Sequence, residues 1–158
     1  MSRKIHFLPL EPKERSFRFR TNENCREVFD IIRKKWVAWT KEEMVRQHFI
    51  HFLVEDWKIP KSKFQVEGSI QNAERKFRFD VLISSYGHPC LLLECKSPEV
   101  LISSSAIDQL LNYQSLIDSH FIGWSNGQKT AIYDAQRGSW LASWQHLVEE
   151  ILKKQQDH

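Results

Sequence analysis

The stretch FRFDVLISSYGHPCLLLECKSPEV, residues 77–100, carries the strongest structural signal in this chain. Its two apolar runs are separated by SSYGHP, a segment of turn residues, and this pattern predicts two antiparallel strands joined by a hairpin. The second run, CLLLEC, is apolar at successive positions, which is typical of an interior strand that is covered on both faces. Asp80, Glu94 and Lys96 nevertheless stand within or directly after these runs. Charges in such a place have to be held in a cleft.

The geometry of this hairpin predicts that two carboxylates meet. If the turn is centred on Gly87, paired residue numbers sum to 174, so Asp80 lies opposite Glu94, with Cβ atoms about 4.5 to 5.5 Å apart. Lys96 is two residues beyond Glu94 and therefore on the same face. Because opposed like charges repel, the pattern indicates a divalent, oxygen-preferring cation between the acids. On this reasoning, removing the Asp80 charge without metal would leave stability unchanged or raise it.

A simpler interpretation also fits these three residues. Glu-x-Lys is common on solvated strand faces, and Asp80 with Lys96 would then form an ordinary ion pair. The opposite face of the second strand carries Leu91, Leu93 and Cys95 in either case.

Apolar spacing predicts the rest of the fold as helix, three strands, helix, two strands and helix. The first helix starts after Thr40, a suitable N-cap, and KFQVEGSI is the first of the three strands. The second helix runs from about Ser104 to Ser119, and Asn126-Gly127 joins the last two strands in a tight hairpin. SWQHLVEEILKK forms a closing helix with an apolar stripe of Trp144, Leu147, Val148, Ile151 and Leu152. Earlier in the chain, RSFRFRT has the pattern of a short half-solvated strand. The segment CREVFDIIRKKWVAW combines the apolar spacing of a helix with that of a strand.

Bulk composition predicts one ordinary globular domain over residues 1–158. The chain is 41% hydrophobic, and its net charge of +3 is too small to indicate nucleic acid by itself. The N-terminus lacks the apolar core of a signal peptide and no apolar run reaches membrane-spanning length, which favours a cytoplasmic protein with no membrane contact. Cys25, Cys90 and Cys95 form no CxxC pair and are predicted to be free thiols.

A second motif joins the acids and the lysine. After Asp80 and the ECK that contains Glu94 and Lys96, the segment QLLNY places Gln109 and Tyr113 four residues apart on the following helix. In this order the motifs resemble the PD-(D/E)xK nuclease superfamily, and more narrowly the N-terminal nuclease domain of type I restriction endonuclease R subunits, in a small stand-alone form. The resemblance implies an α/β (α+β) fold, a restriction-endonuclease-like mixed β-sheet flanked by helices. It covers a core of about 40–134, with an N-terminal extension and a C-terminal helix outside it.

The resemblance also implies roles for the site residues. Asp80, Glu94 and the backbone carbonyl of Cys95 would bind Mg²⁺, for which Mn²⁺ could substitute. Lys96 would orient or help to deprotonate the attacking water and stabilise the phosphate. Gln109 and Tyr113 would position the substrate or the lysine, although Tyr113 also fits a half-buried aromatic whose hydroxyl is satisfied locally. Phe79 stands where the family usually has proline.

Several further residues have two interpretations each. Glu43 matches the acid of the family's opening helix, but its spacing from Thr40 also fits a capping box. Glu67 faces either the cleft or solvent. The basic run Arg33, Lys34 and Lys35 near Trp36 and Trp39 would contact a phosphate backbone or form a solvated face. The histidines His48, His51 and His88 show no ligand spacing with the acids.

The resulting hypothesis is a Mg²⁺-dependent nuclease that hydrolyses phosphodiester bonds in DNA. Cutting both strands with one small site would favour a homodimer. No GxxxxGK[ST] phosphate loop occurs within these 158 residues, so ATP is not expected as a partner. Two alternatives are a non-catalytic nucleic-acid-binding module that acts with a partner, and a structural or assembly protein whose acids are ion-paired.

Overall fold

The expected α+β fold is confirmed. A computed structural model describes residues 4–10 and 13–154, and within them two β-sheets are combined with three helices. The smaller sheet contains β1 (Phe19–Asn22), β2 (Cys25–Asp30) and β3 (Lys35–Ala38). The larger sheet contains β4 (Phe64–Gln71), β5 (Lys76–Ser85), β6 (His88–Cys95), β7 (Phe121–Ser125), β8 (Thr130–Asp134) and β9 (Ser139–Trp140). The helices are α1 (Lys41–His51), α2 (Ser104–Leu116) and α3 (Trp144–Leu152).

The larger sheet is mixed. Its strands follow chain order from β4 to β9, and β6 and β7 are parallel while the other neighbours are antiparallel. Helix α2 connects the two parallel strands, because parallel neighbours need a crossover connection. This arrangement brings the C-terminal end of β6, which carries the acid and the lysine, next to the C-terminal end of β7.

The predicted register of the β5–β6 hairpin is confirmed. Val81 pairs with Leu93 and Leu82 with Leu92, so the residue numbers sum to 174 as expected. The register shifts by one residue beyond Ile83, towards the turn. The turn itself uses Tyr86 and Gly87, whose φ angles of 53° and 75° suit a two-residue hairpin of the primed type.

The second hairpin is longer than expected. Ser125 pairs with Thr130, which leaves a four-residue connection rather than a tight two-residue turn. Gly127 has a φ of 87°, whereas Asn126 is not among the described residues with positive φ. The Asn126 side chain instead accepts hydrogen bonds from the backbone N–H groups of Gln128 and Lys129, at 2.9 and 2.8 Å. It stabilises the turn through these hydrogen bonds and not through its backbone conformation.

The helix boundaries follow from their caps. Thr40 Oγ1 accepts a hydrogen bond from the Glu43 N–H, as predicted, and α1 then continues into a π-helical turn at Phe52–Asp56. Helix α2 begins where expected but ends at Leu116 and not at Ser119. In α3 the predicted stripe is buried except for Leu152, which is 41% exposed because it stands in the last turn.

The larger sheet separates two apolar clusters. One face packs against α1 and α3 through a cluster that includes Phe49, Leu91 and Leu147. The other face packs against α2 through a cluster that includes Leu92 and Leu110. Alternate residues of β6 therefore enter different clusters, which explains why CLLLEC is continuously apolar.

The smaller sheet was only partly anticipated. The segment of mixed period consists of β2 and β3, joined by a turn over residues 31–34, and RSFRFRT contributes β1. The sheet is largely exposed and carries arginines stacked on aromatic rings, with Arg20 over Trp36 and Arg26 over Phe19. Among the described residues, no helix is both long and apolar enough to cross a membrane.

Gly123, in the middle of β7, provides a test of the central packing. A Cβ at this position would lie 2.9 Å from Leu93 Cδ1 and 3.1 Å from Ile132 Cγ1. Because both neighbours are fully packed, we expect Gly123→Ala to lower the free energy of unfolding by about 1 to 3 kcal/mol. Urea unfolding would measure this change, and an unchanged transition midpoint would contradict the packing described here.

Candidate active site

The pairing of β4 with β5 is interrupted at Asp80. Val66 pairs with Val81 and Gly68 with Phe79, but Glu67 and Asp80 between them are not paired, and Glu67 has a φ of 49°. Phe79 lies in the α2 cluster whereas Val81 lies in the α1 cluster, so the alternation of faces changes at this point. Such irregularities redirect side chains next to functional sites. Here the irregularity directs Asp80 towards the end of β6 and towards α1.

Asp80 is anchored by two hydrogen bonds from different elements. The backbone N–H of Cys95 donates to Asp80 Oδ2 at 2.7 Å, and the Arg46 guanidinium donates to Asp80 Oδ1 at 3.0 Å. The first bond fixes the carboxylate at the end of β6, beside Glu94. The second bond links it to α1.

Glu94 and Lys96 form a neighbouring ion pair. Lys96 Nζ lies 3.0 Å from a Glu94 carboxylate oxygen, and both side chains are more than a third exposed. The hydrogen bond from Lys96 to Glu94 raises the lysine pKa. The two acids therefore each have a cationic partner, Arg46 for Asp80 and Lys96 for Glu94. The repulsion expected between Asp80 and Glu94 is therefore offset by cations of the chain itself, and Lys96 pairs with Glu94 instead of Asp80.

Glu43 lies in a buried cluster of charges behind Asp80. Its carboxylate accepts hydrogen bonds from Arg33, Arg46 and Gln47. The capping box is only half formed, because the Thr40 N–H donates to the Ala38 carbonyl and not to the Glu43 side chain. Glu43 thus contacts Asp80 indirectly, through the guanidinium of Arg46.

Arg46 connects this cluster to the larger sheet. Its side chain is 4% exposed and also reaches Glu67 at 3.2 Å. Burial alone would lower the Arg46 pKa, but Glu43 and Asp80 outweigh that effect and raise it. The guanidinium is therefore a permanent positive charge between the carboxylates.

Arg33 belongs to the same cluster. Its guanidinium contacts Asp30 at 2.7 Å, Glu67 at 3.0 Å and Glu43, and its side chain is 13% exposed. It is therefore committed to carboxylates inside the protein and is poorly placed to contact a phosphate backbone. The next two residues, Lys34 at the end of the turn and Lys35 at the start of β3, are exposed.

Glu42 is a site residue that the sequence analysis missed. Burial raises its pKa, and the negative charges of Asp80 and Glu94 raise it further, whereas Lys96 and Arg46 lower it. Glu42 is thus electrostatically coupled to both acids and to the lysine, while its neighbour Glu43 contacts Arg33, Arg46 and Gln47 in the buried cluster. A sequence signal existed, since Glu42 and Arg46 are four residues apart on one face of the helix.

Gln109 and Tyr113 interact on α2 as their spacing predicted. The Gln109 side-chain amide donates to the Tyr113 hydroxyl at 2.7 Å. The Tyr113 ring packs edge-on against Phe77, with 5.1 Å between centroids, and lines a cavity that Glu94 also lines. Tyr113 is therefore half-buried with its hydroxyl satisfied locally, and it borders the same cavity as Glu94. Its role towards a substrate stays a prediction.

A second groove reaches Asp80 from the outer strands. It has a volume of about 420 Å³ and is lined by Glu67, Gly68, Ser69, Lys76, Arg78, Phe79 and Asp80. Lys76 and Arg78 are exposed. Their positive charges suit a polyanion that approaches the acids along this groove.

Cys95 is fixed by packing on the other face of β6. Its thiol is fully buried and burial raises its pKa well above the usual value, so the side chain is not a reactive group. The expected role of its backbone carbonyl as a metal ligand stays a prediction.

The two acids are expected to differ in their effect on stability. Asp80→Asn removes a charge held by Arg46 and by a backbone N–H, so we expect a loss of about 1 to 2 kcal/mol in the free energy of unfolding in metal-free buffer. Glu94→Gln, which removes only a solvent-exposed ion pair, should change it by less than about 0.5 kcal/mol. Urea unfolding of both variants compares them. An Asp80→Asn protein more stable than the wild type would restore the repulsion model.

Comparison with known proteins identifies the family. Residues 41–144 match the family model described as "Type I restriction enzyme R protein N terminus (HSDR_N)". Neither the curated proteins nor the solved structures gave a significant match. The matched segment begins at α1, ends at the start of α3 and includes Asp80, Glu94, Lys96, Gln109 and Tyr113. Since it covers well over half of the sequence, the chain belongs to the family of type I restriction enzyme R protein N-terminal domains.

Proposed function

We propose that the chain is a Mg²⁺-dependent nuclease that hydrolyses phosphodiester bonds in DNA. The observation that carries this proposal is the hydrogen bond from the Cys95 N–H to Asp80, which holds one acid beside the Glu-x-Lys segment of the next strand. Two acids and an ammonium group are thereby gathered at the C-terminal end of β6. Membership in a restriction-enzyme family supports DNA as the substrate.

The residues around the C-terminal end of β6 suit a hard divalent cation. Asp80 and Glu94 offer only oxygen ligands, and Glu42 adds a third carboxylate nearby. Arg46 is shared among Asp80, Glu43 and Glu67, and Lys96 pairs with Glu94, so the carboxylates outnumber these cations and the local charge remains negative. Oxygen ligands favour Mg²⁺, or Mn²⁺ in its place, over softer ions. Asp80, Glu94 and the Cys95 carbonyl would hold the ion, which when bound polarises phosphate oxygens and activates a water.

Lys96 supplies the positive charge for the reacting phosphate. Its ammonium group is held at Glu94 and is partly exposed, so it is available to an oxygen of a phosphate in the site. Donors aimed at developing negative charge are among the largest single contributions to catalysis. Gln109 and Tyr113, joined by their hydrogen bond, would bind the substrate from α2 across the cavity that Glu94 borders.

DNA would approach through basic side chains on two sides of the acids. Lys76 and Arg78 lie along the groove that reaches Asp80. Lys34 and Lys35 stand where the turn that Arg33 ties to Glu67 meets β3. We propose that these four residues contact backbone phosphates, which positions the strand without reading its sequence. Arg33 itself would orient this turn and not contact DNA.

One observation favours a second candidate, a DNA-binding module without catalysis. Asp80 and Glu94 already have cationic partners within the chain, and these partners weaken the attraction of the site for a metal ion. Such a module would bind DNA through the same basic residues without cleaving it. Metal-dependent cleavage distinguishes the two candidates.

The catalytic assignment predicts different effects for the acids and the lysine. Asp80→Asn and Glu94→Gln should each abolish Mg²⁺ binding measured by calorimetry. Lys96→Ala should still bind Mg²⁺ and DNA but cleave at least about a hundredfold more slowly, since single electrostatic donors contribute about 2.7 to 4 kcal/mol to transition-state stabilisation.

Lys61→Ala is the matched control for Lys96→Ala. Lys61 is exposed and precedes Phe64, which pairs with Ile83 on the turn side of the β5–β6 hairpin, away from Glu94. The Lys61→Ala protein should therefore cleave at the wild-type rate. A Lys96→Ala protein with wild-type activity would show that the lysine is assigned wrongly. A wild-type protein that binds DNA but cleaves neither duplex, single-stranded nor branched DNA with Mg²⁺ or Mn²⁺ would favour the binding module.

The DNA contacts can be tested separately from cleavage. With Ca²⁺ or without metal, Arg78→Ala should weaken DNA binding by the same factor for unrelated DNA sequences. The double variant Lys34→Ala, Lys35→Ala should do the same. Each lost phosphate contact should reduce the slope of log K against log salt by about 0.9. Fluorescence anisotropy at several salt concentrations would measure the slope. Unchanged slopes in these variants, with Lys61→Ala as control, would place the DNA elsewhere on the protein.

A further inference from the structure

A second cluster of metal-ligating side chains lies at the opposite end of β7 from the acids. His120 precedes β7, Asp134 is the last residue of β8, and His146 lies in the first turns of α3. Asp134 pairs with Phe121 at the start of β7, whereas Glu94 and Cys95 pair with Trp124 and Ser125 at its end. The strand separates the two places by about 13 Å, at roughly 3.3 Å per residue.

The ligand atoms of this His-Asp-His cluster lie close together. His120 Nε2 lies 3.2 Å from Asp134 Oδ1, and His146 Nε2 lies 3.0 Å from Asp134 Oδ2. One ligand atom from each residue lies within 4.8 Å of the other two. Ligands bound at 2.0 to 2.1 Å in a tetrahedral zinc site are separated by about 3.3 Å, so a small approach of the rings would complete the geometry.

The surroundings hold each ligand in place. Asp134 is buried, and its Oδ1 accepts the backbone N–H groups of Gln136 and Arg137 at 3.0 Å each, which fixes the carboxylate. Its Oδ2 faces His146 at 3.0 Å and, at 3.8 Å, the exposed Arg137 guanidinium. The His120 ring stacks on Phe121 with centroids 4.0 Å apart, and its Nδ1 lies 3.7 Å from Glu150. A carboxylate beside the second nitrogen is the usual outer partner of a metal-bound histidine.

We propose that His120, Asp134 and His146 bind a zinc-class transition metal ion. Two imidazoles and one carboxylate favour Zn²⁺, Co²⁺ or Ni²⁺ over Mg²⁺, which prefers oxygen ligands alone. On binding, each histidine presents its Nε2 lone pair to the ion and keeps its proton on Nδ1, which for His120 faces Glu150. A solvent-open groove lined by Ser119, His120, Gln136 and Glu150 gives the ion a path of entry and room for a water ligand.

The ion would act as a structural link. It would join the start of β7, the end of β8 and α3, and α3 covers the larger apolar cluster through Trp144, Leu147 and Ile151. A ligand that binds only the folded state stabilises it according to its concentration relative to Kd. This proposal is independent of the nuclease proposal, because none of its residues belongs to the candidate active site.

The experiment is a titration of the full chain with Zn²⁺. Excess Mg²⁺ is present to occupy oxygen sites, and Cys25→Ser is used throughout because an exposed thiol also binds zinc. We expect one site by calorimetry and a melting temperature that rises with Zn²⁺. His120→Gln and His146→Gln should each weaken the affinity at least about tenfold and abolish the rise. His48 of α1 lines a separate pocket with Gly127, in the β7–β8 connection at the opposite end of β8 from Asp134. It gives the matched control His48→Gln, which should show the same Zn²⁺ affinity and the same rise as the parent protein.

Co²⁺ provides a readout that does not depend on the variants. Co²⁺ bound to the Cys25→Ser protein should give the intense visible absorption of a tetrahedral or five-coordinate site. Added Zn²⁺ should displace the Co²⁺ and remove this absorption. A spectrum like that of aqueous Co²⁺ would overturn the proposal. An equal Zn²⁺ affinity in the parent protein and in both cluster variants would also overturn the proposal. The cluster would then be only a hydrogen-bonded link between Asp134 and the two histidines.

Discussion

The site depends on the buried guanidinium of Arg46. This side chain contacts Glu43 of its own helix, Glu67 of β4 and Asp80 of β5, so a single positive charge joins three elements. Removing one partner of a buried ion pair leaves an uncompensated charge, which costs far more than the pair contributes. Each carboxylate thus constrains the positions of the others. The orientation of α1 against the sheet and the orientation of Asp80 are set by the same interaction.

The backbone contributes a second constraint, because regular strand pairing stops next to the charged side chains. The ladder between β4 and β5 is interrupted at Glu67 and Asp80, and β6 ends at Cys95, directly before Lys96. The Cys95 N–H is used by the Asp80 carboxylate. A polar side chain thereby satisfies a backbone donor at the strand end and is itself positioned by it. Formation of this strand end therefore also positions the candidate catalytic acid Asp80.

The sequence alone predicted the parts that depend on local pattern. The hairpin register followed from turn residues, the Thr40 cap from helix-start preferences, and the Gln109–Tyr113 contact from helical spacing. Contacts between distant segments were not predictable in this way. Arg46 has its helical partners three and four residues away, yet its contacts with Glu67 and Asp80 arise only when the sheet packs on α1. The smaller sheet was not clearly predictable from the sequence, because its turn at Glu23 and Asn24 has positive φ angles but contains no glycine.

The chemistry at the two ends of β7 is divided by ligand type. At the end near Cys95 the available ligands are oxygens, and the neighbouring cations Arg46 and Lys96 limit the negative charge there. At the other end two imidazoles surround a single buried carboxylate, Asp134. Oxygen ligands favour hard ions and imidazoles favour borderline ones, so the two ends would prefer different metals. The strand that separates them lies in the interior of the sheet, so its packing fixes both ends relative to each other.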